Sequence, residues 1–124
     1  MKKLRRAIVE YDHRTFRIDI DPRPFDPDHK NLLPSVLAHE TMHAVQYVDR
    51  KIPHGERSCD LFMLARLPAN LYPKSRDFYV KVPQKVMYSP EVIMETARKA
   101  IELRQRGMRN YITWFEAELK TLAN

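Results

Sequence analysis

Near the start of the chain apolar and charged residues alternate: Phe16, Ile18 and Ile20 are separated by Arg17 and Asp19. That is the period of a strand with one face toward a core. Ile8, Val9 and Tyr11 precede the polar turn Asp12-His13-Arg14, so residues 4–20 predict a β-hairpin. The prolines of Pro22-Arg23-Pro24-Phe25-Asp26-Pro27 then stop regular structure. Beyond them the period becomes helical, from about Asn31 to Arg50. Leu33, Leu37, Ala44 and Val48 share one face, and Val36, His39, His43 and Tyr47 the adjacent one. Asn31 suits the N-cap, and Pro34 falls in the first turn, where its missing N–H costs little.

A short connection, Lys51-Ile52-Pro53-His54-Gly55, leads to a second predicted helix from Glu56 to Leu67, stopped by Pro68. Between Pro68 and Pro90 the pattern is irregular, with an edge strand expected at Phe78-Tyr79-Val80-Lys81-Val82. Ser89 and Pro90 open a long helical stretch as cap and first helical residue. Gly107 is expected to divide it. Its second half carries a Tyr111, Trp114, Phe115 and Leu119 face, suited to the core or to a dimer contact. The expected fold is therefore α+β: a small antiparallel sheet packed on two helices, then C-terminal helices. Residues 1–124 read as a single domain, with 89–124 a C-terminal helical segment open to a regulatory or homodimerising role.

The length of 124 residues is enough to bury a core. Hydrophobic content of 44% and charged content of 31% are ordinary for a globular chain, and no apolar run reaches membrane-spanning length. The start, Met1 to Arg6, has the charge of a signal-peptide n-region, but Glu10 and Asp12 end the apolar stretch that follows too early. A cytoplasmic protein is expected. The lone Cys59 excludes an internal disulfide and fits a reducing compartment. Net charge is +6, with Lys and Arg concentrated at the start and from Arg98 to Arg109. This excess suits nucleic acid or an acidic partner, but a solvated surface is the plainer reading. No zinc knuckle or aromatic-basic alternation strengthens the nucleic-acid case.

Within the first helix stands His39-Glu40-Thr41-Met42-His43, an H-E-x-x-H pentad. Residues four apart share a helical face, so both imidazoles can reach one ion, with Glu40 placed to touch a metal-bound water. The plain alternative is a pair of ordinary helix histidines. A catalytic zinc wants a third protein ligand and an open position. Glu56 and Asp60 lie at i and i+4 of the next helix, a spacing that serves one ligand and one partner orienting a ligand histidine. His54 is close in sequence. Cys59 points in a different helical direction from Glu56 and reads as a buried small hydrophobe.

These residues resemble the gluzincin zinc peptidases, and the short chain looks most like the minigluzincins, over roughly residues 31–67. The resemblance implies Zn2+ held by His39, His43 and Glu56, with Asp60 orienting His39. It implies Glu40 as general base and a peptide or protein substrate. Two features depart from it. Only twelve residues separate His43 from Glu56, and minigluzincins are described with His as third ligand, which leaves His54 and Asp60 open as alternatives. The oxyanion donor is open among Tyr72, Arg76, Tyr79 and Tyr88. Asp60 and Phe62 are also loosely similar to the pattern of ImmA-like proteins, so a regulatory SprT-like or ImmA-like protease acting near DNA is a second expectation. A third is a latent or non-catalytic zinc-binding protein, its cleft filled by the C-terminal helix of the chain itself or of a partner.

Overall fold

The computed structural model describes residues 33–49, 51–73 and 78–124, with side chains from residue 34. It also gives the backbone of two short strands, β1 (Ala7–Asp12) and β2 (Thr15–Ile20), which pair antiparallel with Ala7 opposite Ile20 and Asp12 opposite Thr15. The helices are α1 (Leu33–Val48), α2 (Glu56–Leu64), α3 (Pro90–Gln105) and α4 (Tyr111–Leu122). Short 3-10 turns occupy Ala69–Leu71 and Gln84–Tyr88. Asn31, Arg50, Arg76, His13 and the 22–27 proline segment lie outside the described residues.

The α+β expectation is corrected. From residue 33 onward about 70% of the described residues are helical, and none belongs to a strand or sheet. Among the residues described with their side chains, the interior is built by helix packing. The edge strand expected at 78–82 does not form. Its backbone N–H groups are taken by side chains: Tyr79 donates to Asp60 Oδ2 and Lys81 to Glu116 Oε2 at 2.8 Å. Donors satisfied by carboxylates have no ladder to join.

The central element is α2. Every residue from Ser58 to Leu64 is buried, so beyond its first two residues this helix is enclosed on all sides. It packs against α1, α3 and α4. Its start needs Gly55, whose φ of 106° lies in the left-handed region that a side chain would strain. At its other end, Arg98 Nε donates to the Ala65 carbonyl at 3.0 Å and the Tyr72 hydroxyl to that of Leu64, satisfying carbonyls a helix end leaves open. Gly107 (φ 111°) ends α3, with Met108 N–H returning to Leu103 O and Gly107 N–H to Arg104 O.

The C-terminal helices are part of this core. Ile93, Ala97, Ala100, Phe115 and Leu119 are fully enclosed, and Tyr111 is buried with its hydroxyl 3.2 Å from Ser58 Oγ. The Tyr111/Phe115/Leu119 face is thus core, and it supports α2. Phe115→Ala is expected to cost about 3–5 kcal/mol of unfolding free energy, the range for an enclosed aromatic. A denaturant titration beside the wild-type protein measures it.

The inward face of α1 also differs from the pattern-based expectation. Ser35, Val36, His39, Met42 and Gln46 are buried, whereas Tyr47 and Val48 are 64% and 58% exposed. His39 and Gln46 turn inward here because Asp60 and the Pro53 and Gly55 carbonyls supply partners for them.

Candidate metal centre

His39 and His43, one helical turn apart on α1, face the first turn of α2. Their rings meet edge to face with centroids 4.6 Å apart. Each ring is fixed at Nδ1 by a different acceptor. His39 Nδ1 lies 2.7 Å from Asp60 Oδ1, and that fully enclosed carboxylate accepts the Tyr79 N–H through its other oxygen. His43 Nδ1 lies 2.8 Å from Gln46 Oε1. The orientation of that amide is assigned by its own donors: Gln46 Nε2 reaches the carbonyls of Pro53 at 2.7 Å and Gly55 at 3.1 Å, so the oxygen must face His43.

In the neutral form both histidines therefore carry their proton on Nδ1, and both Nε2 lone pairs face away from these partners. They converge on one atom. Glu56 Oε1 stands 3.0 Å from His39 Nε2 and 2.5 Å from His43 Nε2. Three lone-pair donors aimed at one point repel one another unless a proton or a metal cation lies among them. Burial tends to raise the Glu56 carboxyl pKa. The hydrogen bond from His39 and the positive charges that His43 and His39 carry when protonated outweigh it, so the group sits below its ordinary value. An anionic carboxylate with two imidazole nitrogens is a donor set suited to Zn2+.

Glu40 lies beside this point, with Oε2 3.9 Å from His39 Nε2 and its side chain 13% exposed. His43 and Glu56 side chains are 28% and 30% exposed, so solvent reaches the open side of the cluster. Tyr79 stacks on His39 at 5.7 Å between ring centroids, and its own exposure is 41%.

Of the sequence candidates, the fold brings His39, Glu40, His43, Glu56 and Asp60 together. His54 is exposed, with the carbonyls on either side of it turned to Gln46. Tyr72 is committed to the Leu64 carbonyl, and burial raises its phenol pKa further. Tyr88 is 68% exposed at the end of its 3-10 turn.

Two residues acquire contacts that the pattern did not suggest. Gln46 follows His43 at i+3, so the extended motif is H-E-x-x-H-x-x-Q; the signal was a long amide on the same helical face. Cys59 Sγ lies 3.1 Å from the His39 carbonyl and 3.6 Å from its Nδ1. The donor atoms of His39, His43 and Cys59 fall within 4.8 Å of one another, which makes a second possible metal triad. The thiol, however, sits at the Nδ1 edge that Asp60 already holds, and it is fully enclosed. The Nε2 side, where Glu56 stands, is the better-formed donor set.

For a divalent ion held at the two Nε2 atoms, replacing Gln46 by alanine is expected to weaken binding about 10- to 100-fold, the usual effect of losing the partner that orients a ligand histidine. Competition with a chromophoric chelator reads this directly. No helix among the described residues is long and apolar enough to cross a membrane. Comparison with known proteins assigns no family: no family model, no curated protein and no solved structure matches this chain.

Proposed function

We propose that this protein is a zinc-dependent peptidase with a gluzincin-like ligand set: Zn2+ bound by His39 Nε2, His43 Nε2 and the Glu56 carboxylate. The observation that carries this is the convergence of both Nε2 atoms on Glu56 Oε1, with each Nδ1 pinned by its own acceptor. When bound, the metal would supply Lewis acidity toward water and a carbonyl. The chain's own residues do the rest. Asp60 and Gln46 hold the two rings in the tautomer that presents Nε2. Glu40, at the edge of the cluster, accepts a proton from the attacking water and returns it to the leaving amine. Tyr79, the aromatic that the fold stacks on His39, is the oxyanion donor we favour among those considered. The partial exposure of His43 and Glu56 supports an open, catalytic site over a closed structural one.

Cys59 supports a second reading, a non-catalytic zinc site of His39, His43 and thiolate. Against the latent form in which this chain's own C-terminal helix fills the cleft, α4 packs on α2, with the Tyr111 hydroxyl at Ser58. A protease acting near DNA rests on the net charge and on the loose ImmA-like pattern of Asp60 and Phe62.

The direct test incubates zinc-loaded protein with an unstructured peptide mixture and reads cleavage by mass spectrometry. Metal-dependent cleavage supports the peptidase reading. Stoichiometric zinc with no cleavage of any peptide supports the structural site instead.

A further inference from the structure

Away from the histidines, a cavity of about 480 Å³ opens between the α1–α2 connection, the end of α2 and the last turns of α3. Among the described residues that line it, the cations are Lys51, Arg66 and Arg104 and the one acid is Asp49, which already accepts the Lys51 backbone N–H at 3.0 Å. The balance of three against one leaves two positive charges in excess. None of the three cations is ion-paired to a carboxylate among the described residues; nearby Glu102 is taken by Lys99 and Arg106. Arg66 is held in place without being neutralised: Nη1 donates to the Phe62 carbonyl at 3.0 Å, and the guanidinium lies 5.5 Å from the Phe62 ring centroid. Arg104 is similarly braced, 5.7 Å from the Tyr111 ring centroid.

Concave walls of one sign concentrate counter-ions, and two guanidinium forks with a lysine match the geometry of phosphate oxygens. Ile52, Phe62 and Ile101 also line the cavity, giving it an apolar part that a bare ion would leave uncovered. Its volume falls within the range of small-molecule sites, about 300–1,000 Å³. We propose that this cavity binds a phosphate group carried beside a planar or apolar body, the chemistry that nucleotides present. A free nucleotide and a nucleic-acid backbone both offer that group.

The proposal is independent of the metal centre and is tested by amide chemical-shift titration. The probes are adenosine monophosphate, adenosine and a short single-stranded oligonucleotide. Saturable monophosphate binding is expected, with shifts at Ile52, Phe62 and Ile101 and at least tenfold weaker binding of adenosine. Arg66→Gln/Arg104→Gln should weaken it at least tenfold in a protein whose spectrum remains folded. Lys51→Gln, on the exposed connection, should weaken it severalfold should the double variant not fold. Lys99→Gln, paired with Glu102 outside the cavity, should change nothing. Oligonucleotide binding without monophosphate binding, lost in the same variants, supports the phosphate site and names the polymer as its source. Equal binding to wild type and variants, or no saturation by any phosphate probe, overturns the proposal.

Discussion

Replacing Glu56 by alanine is expected to remove stoichiometric zinc binding. The loss should exceed the roughly 10- to 100-fold that follows removal of an outer partner such as Gln46. The reason is geometric. Glu56 Oε1 is the point that both Nε2 atoms face, and without it two neutral imidazoles remain, one ligand short of what a catalytic zinc requires. The fold should survive, because Glu56 occupies the partly exposed first turn of α2 and the buried residues of that helix begin at Ser58. His54→Ala is the matched control: its side chain is exposed, and zinc binding should be unchanged. Full zinc retention in Glu56→Ala together with loss in His54→Ala would reverse the ligand assignment.

The second large effect is expected at Glu40. Glu40→Gln preserves size and leaves both histidine rings in place, so zinc affinity should stay within a few-fold of wild type. Peptide hydrolysis should fall by about 10²- to 10⁴-fold, the contribution of a positioned general base. Measuring metal content and turnover on the same preparation separates this from loss of the site. An active Glu40→Gln protein would remove Glu40 from the mechanism even with zinc bound.

The helices themselves could be read from sequence because their punctuation is strong. Pro34 near the start of α1, Pro90 at the start of α3 and Gly107 at its end mark boundaries that the backbone obeys for steric reasons. The H-E-x-x-H spacing put His39 and His43 on one face because helical periodicity alone decides that. What could not be read was which face turns inward. Hydrophobicity favoured the Leu37/Val48 side of α1, yet Ser35, His39 and Gln46 are buried because Asp60 and the Pro53 and Gly55 carbonyls meet two of them. Such partners come from residues distant in sequence, and a periodicity count cannot see them. The same holds for 78–82, whose β-branched and aromatic residues predicted a strand. Asp60 and Glu116 intercept its N–H groups, so no strand forms there. Cys59 was read correctly as buried, but its contact with His39 depends on how α1 and α2 are docked.

X-ray absorption at the zinc K edge on the zinc-loaded protein tests the central claim most directly. The account predicts one zinc per chain and a first shell of nitrogen and oxygen only, near 2.0–2.1 Å, with the outer scattering of two imidazoles. A sulfur scatterer at about 2.3 Å would place Cys59 on the metal in place of Glu56, and failure to take up stoichiometric zinc would contradict the site altogether.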